Sequence, residues 1–280
     1  MGRITRSAAV TKVTLPPADQ PDGALTIDTR ADLLSVEEPL ELRVNGTTFT
    51  TTMRTPGDDI EWAHGFLLGE GVIHQAEDVK TARYCAGATG PHGENTYNVL
   101  NVELAAHVPP PSAQSIRLTP TTSACGVCGS SSIEKIMGSC PAPLPAHPLD
   151  PDVVVRVPEI LREHQKSFRK TGGIHAAGAF TLEGQPIVVR EDIGRHNAAD
   201  KVIGHLLLNN RLPAEDLLLV MSSRASFELA QKAIAARFSA LLAVSAATSL
   251  AVDLAREANL GLVGFIRGRR FNLYSGRINN

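Results

Sequence analysis

From Thr171 onward the chain alternates short apolar runs with amphipathic segments, and this alternation limits the fold more than any other feature. Leu217-Leu-Leu-Val-Met and Leu241-Leu-Ala-Val are continuous apolar runs. Runs of that length suit strands buried on both faces. Strands are predicted at His175–Thr181, Pro186–Arg190, Leu217–Met221, Leu241–Val244 and Leu262–Phe265. Helices are predicted at Arg195–Leu208 and near Phe227–Arg237 and Ser249–Ala258. The expected fold is a layered α/β domain with some parallel pairing.

The N-terminal half is less regular. Residues 1–24 carry Pro16, Pro17 and Pro21 without periodicity and read as a weakly ordered tail. Pro39–Val44 alternates apolar and polar residues, Asn45-Gly46 supplies a turn, and Thr47–Arg54 returns, so a hairpin is expected. Asp58–Glu70 reads as a helix with Asp58 or Asp59 as cap and Ile60, Ala63, Leu67 and Leu68 as one stripe. Strands follow at Asn98–Leu104 and Ser115–Leu118, with a helix ending near Lys170. The proline-rich stretch Pro141–Pro151 is the best boundary. The expected organisation is thus a tail (1–24), an N-terminal α/β subdomain with a hairpin and helix (25–150), and a C-terminal α/β domain (151–280).

With 27 Lys+Arg against 29 Asp+Glu, the net charge of -2 gives no whole-surface attraction to nucleic acid or an acidic membrane. No apolar run approaches the ~20 residues that span a bilayer. The start, Met1-Gly-Arg-Ile-Thr-Arg, has no signal core. A cytoplasmic protein is expected. Four cysteines in 280 residues make no disulfide framework, which leaves thiols, ligands or catalysts.

Two of those cysteines form the strongest local signal, Ala124-Cys-Gly-Val-Cys-Gly129. Gly126 and Gly129 bracket the second thiol, and Ser131-x-x-Glu134 is a capping-box pattern, so a helix is expected just after Cys128. Helix N–H groups and the positive dipole end favour a thiolate. A thiolate can accept the outer sulfur of a donor persulfide and pass it on. Three other chemistries use similar residues. A redox CxxC normally opens an early βαβ unit. A structural zinc site needs four ligands, which Cys85 and Cys140 would have to complete. A zinc deaminase would use His92, Glu94, Cys125 and Cys128, but Ala124 replaces the usual proline.

Several polar segments fall at predicted strand ends. Thr171-Gly-Gly-Ile-His175 offers glycines for close ligand approach and a histidine that either donates to a ligand or merely satisfies a strand end. Arg190–Lys201 packs Glu191, Asp192, Arg195, His196, Asn197, Asp200 and Lys201 into one junction. Ser222–Ser226 and Ser245–Ser249 are further strand-to-helix junctions, each either a phosphate contact or a plain helix cap. Phe265-Ile-Arg-Gly-Arg-Arg270 follows the last predicted strand. Its arginines suit bidentate phosphate contacts, and Phe265 or Phe271 suits base stacking. Neither a Walker A sequence nor G-x-G-x-x-G is present.

Taken together, these segments resemble the FdhD family. Thr121–Gly129, Lys170–Ala177, Arg190–Lys201, Thr248–Ala255 and Leu262–Arg267 carry the resemblance, with Arg54–Asp58 and Gly65–Ile73 earlier. The resemblance implies a sulfur carrier for formate dehydrogenase maturation. Sulfur would pass from a cysteine desulfurase, as a persulfide, to the bis-molybdopterin guanine dinucleotide form of the molybdenum cofactor. It also implies a cytidine-deaminase-like core, a homodimer and no tightly held metal. Cys125 would be the persulfide position with Cys128 assisting or resolving it, and Phe265, Ile266, Arg267, Gly268, Arg269 and Arg270 would bind the cofactor. Ala124, Ser223 and Ala247 depart from the family's usual Ser, Gly and Pro at those places.

Overall fold

A computed structural model describes residues 4–19, 23–85, 97–111 and 143–279. The described residues form a mixed α/β protein with three sheets. The first is a ribbon of β1 (Thr5–Thr14) and β2 (Thr26–Ser35), antiparallel in register over their whole length. Residues 5–14 are therefore a strand, not part of a weakly ordered tail. The β-branched residues Thr5, Val10, Thr11, Val13 and Thr14 favour extension, and pairing with β2 satisfies the backbone.

The second sheet has the order β4-β3-β6-β5. Its strands are β3 (Glu38–Val44), β4 (Thr47–Arg54), β5 (Val79–Tyr84) and β6 (Val99–Leu104). The expected hairpin is there. Asn45 (φ 50°) and Gly46 (φ 82°) both take the left-handed conformation that a two-residue hairpin turn requires. Helix α1 (Asp59–Gly69) follows. Its buried stripe is Trp62, Ala63, Phe66 and Leu67, while Ile60 is exposed. Asp58 does not cap by its side chain; its carboxylate lies 3.5 Å from Arg190.

The third sheet has the order β12-β11-β10-β9-β7-β8. Its strands are β7 (His175–Thr181), β8 (Pro186–Asp192), β9 (Leu217–Met221), β10 (Ala240–Ala243), β11 (Gly261–Arg267) and β12 (Arg270–Ser275). β9, β10 and β11 are parallel, and the remaining pairs are antiparallel. The connecting helices are α2 (Pro151–His164), α3 (Phe168–Thr171), α4 (Arg195–Leu208), α5 (Phe227–Ala235) and α6 (Ser249–Glu257).

β9 and β10 are buried on both faces, as their apolar runs require. Leu218, Val220 and Leu242 join the core formed with Val153, Val154, Val157 and Leu161 of α2. Leu217, Leu219, Met221 and Leu241 join the larger core, shared by α1, α4, α5, α6 and the four-stranded sheet. Leu144 and Leu149 of the proline-rich stretch are buried, and Leu149 N–H donates to Arg277 O at 2.9 Å. No helix of the described residues is long and apolar enough to cross a membrane.

The two halves meet where α1 crosses α4. A Cβ added at Gly65 would lie 1.9 Å from Asp200 O, and one at Gly204 would lie 1.7 Å from Glu61 O. Two backbones can approach this closely only because both contact positions lack side chains. The crossing also carries a buried ion pair, Lys232 Nζ to Asp200 Oδ1 at 2.6 Å. Burial raises the Asp200 pKa to about 6, with Lys232 opposing that rise.

Candidate functional site at one edge of the large sheet

The parallel strands β9, β10 and β11 all end at the same edge. β7 runs antiparallel to β9, so it begins there, and β8 ends there because Asp192 pairs with His175. The polar segments singled out in the sequence therefore converge in space: His175, Asp192–His196, Ser222–Ser226, Ser245–Ser249 and the β11–β12 turn. In open α/β sheets this carboxyl edge is where ligands collect.

Backbone bonds knit the loops together. Ser222 N–H donates to Ala176 O at 3.0 Å, and Ser222 Oγ accepts from Ala176 N–H at 2.9 Å. Ala225 N–H donates to Ala246 O, Thr248 N–H to Ala225 O, and Phe265 N–H to Ser245 O, each at 3.0 Å. Helices α4, α5 and α6 all start at this edge, on Gly194, Ser226 and Thr248, and none has a side-chain cap hydrogen bond. Their first N–H groups and dipoles together favour negative charge here.

Asp192 ties the edge together. Its carboxylate is fully buried and lies 2.7 Å from Lys201 Nζ. It also accepts from Thr55 N–H at 3.1 Å, Gly194 N–H at 2.8 Å and Asn197 Nδ2 at 3.0 Å. Asn197 Oδ1 in turn accepts from Trp62 Nε1 at 3.1 Å. These bonds tie the end of β8, the start of α4 and the end of β4 into one unit.

His196 sits beside Ser226 and Glu228. Its Nε2 is 3.2 Å from Ser226 Oγ and 3.1 Å from Glu228 Oε2. Both contacts use the same nitrogen, so this is not a relay in which a carboxylate orients the far side of the ring. Burial lowers the His196 pKa to about 4; Arg195, Lys232 and Arg224 add to the shift and Glu228 opposes it. The Glu228 contact at neutral pH is thus a hydrogen bond to a neutral imidazole, not an ion pair. Burial and Arg195 also lower the pKa of His175. Arg195 is itself held below its usual value, by burial first and by Arg224 second.

A titration checks this assignment. The His196 ring signals are expected to stay in the neutral form down to about pH 5 and to turn over near pH 4, against an ordinary 6.5. The unfolded chain binds the proton first on acidification, so the stability advantage over His196→Gln is complete above pH 6.5. It should shrink as pH falls toward 4, by on the order of 3 kcal/mol. A midpoint near 6.5 would contradict it.

The arginine-rich segment does not simply follow a strand. Arg267 ends β11 and Arg270 begins β12, so the segment is a tight hairpin turn through Gly268 (φ 57°). Arg267, Arg269 and Arg270 are exposed, and Arg269 Nη2 is 3.1 Å from Asp152 Oδ1. Phe265, with φ 53°, is 49% exposed and open to a stacking partner. Ile266 is different. It is 4% exposed and packed in the α2-side core, so only its backbone can meet a ligand.

Cys125, Cys128, Cys140, His92, Glu94, Ser131 and Glu134 lie outside the described residues. So do the expected strand at Ser115–Leu118 and the helix after Cys128. Cys85 is half-buried just after β5. Glu228 is the residue that sequence reading missed at this edge. Its position in the first turn after Ser226 was the available signal.

The model of the FdhD/NarQ family matches residues 35–279. The chain belongs to that family. The match begins at the end of β2 and takes in both larger sheets and every segment at the carboxyl edge. Among curated FdhD/NarQ relatives, the sulfur carrier protein FdhD of Corynebacterium efficiens is 55% identical over 281 residues, covering 99% of this chain and all of the relative. That of Nocardia farcinica is 53% identical, covering 98% of this chain and 94% of the relative. The fold is similar to a crystal structure assigned as a formate dehydrogenase accessory protein of Desulfotalea psychrophila. The TM-score is 0.71 at 21% identity, over 98% of this chain and 99% of that one.

Proposed function

We propose that this FdhD/NarQ protein is a sulfur carrier acting in formate dehydrogenase maturation. It would take persulfide sulfur from a cysteine desulfurase and transfer it to the bis-molybdopterin guanine dinucleotide molybdenum cofactor, which is its substrate. The observation that carries the reading is convergence. Separate sequence segments meet at one sheet edge, in a chain similar over nearly its whole length to proteins named sulfur carriers.

Cys125 is assigned the persulfide and Cys128 the assisting role, on thiolate chemistry and the family resemblance. The β11–β12 turn suits the substrate. Three exposed guanidiniums fit diphosphate groups, and the exposed Phe265 ring fits a guanine face. The backbone of Ile266 and Gly268 permits close approach. His175 and His196 are both kept toward the neutral form, so each brings a neutral imidazole to the edge. The mixed sheet with helices on both faces supports a cytidine-deaminase-like core. A cytoplasmic homodimer that delivers its substrate to formate dehydrogenase completes the reading.

The test is intact-protein mass spectrometry after incubation with a cysteine desulfurase and cysteine. Wild type should gain one sulfur, about 32 Da, and Cys125→Ala should not. If neither gains sulfur while the desulfurase is active, the chain is a cofactor chaperone, and Cys125→Ala should deliver cofactor as well as wild type.

A further inference from the structure

The β1–β2 ribbon sorts its side chains by charge. Opposed residues in its register share a face, and faces alternate along each strand. Arg6, Lys12, Asp28, Arg30 and Asp32 all fall on one face. The other face has no charge at all. Its centre is Ala9 opposite Ala31 and Thr11 opposite Thr29. Its ends carry larger groups, Ser7 opposite Leu33 and Val13 opposite Ile27.

This uncharged face stands in solvent. Val13 is 53% exposed, Ile27 62% and Leu33 39%, while Leu15 and Leu25 are 72% and 50% exposed beyond its far end. Ala9, Val13, Ile27, Ala31 and Leu33 lie on this face against Ala8, Val10 and Leu34 on the charged one, and strands normally bury their more apolar side. A two-stranded ribbon is also marginal in water without packing. The base of this one is fixed to the body by Ser35 Oγ and Thr171 Oγ1, 2.7 Å apart. It is a presented surface.

We propose that this face docks on the same face of a second copy of the chain. Stacked twisted ribbons approach most closely at their centres and splay at their ends. Small residues at the centre and larger ones at the ends fit that shape on both partners. A two-fold contact sets each residue against its own kind near the axis. Near the axis an uncharged face meets itself without like-charge repulsion, whereas an axis through the centre of the opposite face would bring Arg30 toward its own copy. A ribbon about 34 Å long and about 10 Å wide offers roughly 340 Å² per protomer. A standard interface takes about 800 Å² per partner, so the ribbon is one part of a larger contact. The inference rests on the dimer reading above and names a surface for it.

Sedimentation of the full-length protein tests it. Wild type should be dimeric. Thr29→Glu, at the centre of the uncharged face, should weaken association about tenfold or more. Thr14→Glu adds the same charge on the opposite face, at an exposed position, and should leave it unchanged. Circular dichroism and melting of both variants should match wild type, because both changes are at the ribbon surface. A monomeric wild type overturns the dimer reading and this inference with it. A dimeric wild type with Thr29→Glu unaffected, or with both variants equally weakened, overturns the ribbon surface alone.

Discussion

Gly204→Ala is expected to destabilise the protein by about 3 kcal/mol or more, at the upper end of what overpacking costs. The sign is the informative part. In a helix interior, glycine is worse than alanine by about 1 kcal/mol, so propensity alone predicts a gain. Packing predicts the reverse. The new Cβ would lie 1.7 Å from Glu61 O, 2.6 Å from Glu61 C and 2.9 Å from Gly65 N. All three are backbone atoms of α1, so no side chain can turn aside. The helix itself must move, and α1 carries the buried Trp62, Phe66 and Leu67. Thermal melting should fall by roughly 6–12 °C for a chain of this size. Gly65→Ala meets Asp200 O at 1.9 Å and should behave alike. A variant that melts at or above wild type would show that the crossing has slack.

That crossing marks where the sequence stopped being legible. The sequence located α4 to the residue, and β7 and β9 as well, because long apolar or amphipathic runs leave few alternatives. Gly65 and Gly204 carry no signal of their own; their role exists only where two helices meet. The ribbon was missed because Pro16, Pro17 and Pro21 suggested disorder, while its pairing joins residues far apart in sequence, Thr5 with Ser35 at one end and Thr14 with Thr26 at the other. β12 was missed because Arg267–Arg270 looked like a loop, and its hairpin partner sits in the preceding strand. Much of the edge was legible. Strand ends bearing His175, Asp192, Ser222 and Ser245 were visible, and parallel order then brings them together. Ile266 was included with its neighbours because alternation through a bulge cannot be read locally, and the φ of 53° at Phe265 redirects the chain there.

Asp192→Asn is expected to cost about 3–5 kcal/mol, the range found when one member of a buried ion pair is removed. The charge that remains is Lys201, 1% exposed, whose acceptors among the described residues are then Thr55 O at 3.0 Å, Glu191 O at 3.4 Å and a neutral amide oxygen in place of the carboxylate. Those carbonyls solvate an ammonium poorly without the carboxylate at 2.7 Å. The double variant Asp192→Asn/Lys201→Met removes both charges and should recover much of the loss, because a buried pair replaced by apolar packing is often neutral. Recovery will be incomplete if the hydrogen bonds to Thr55 and Gly194 N–H matter independently of the charge. A denaturant melt of the two variants separates these terms. Binding of guanosine diphosphate, used as a probe for the guanine-dinucleotide substrate proposed above, then reads the second role. Asp192 fixes the start of α4 against β4, so the double variant should fold yet bind guanosine diphosphate more weakly than wild type, through an edge whose helix start is no longer held. Equal stability of Asp192→Asn and wild type would mean that Lys201 finds water, and that the pair does not lock the edge.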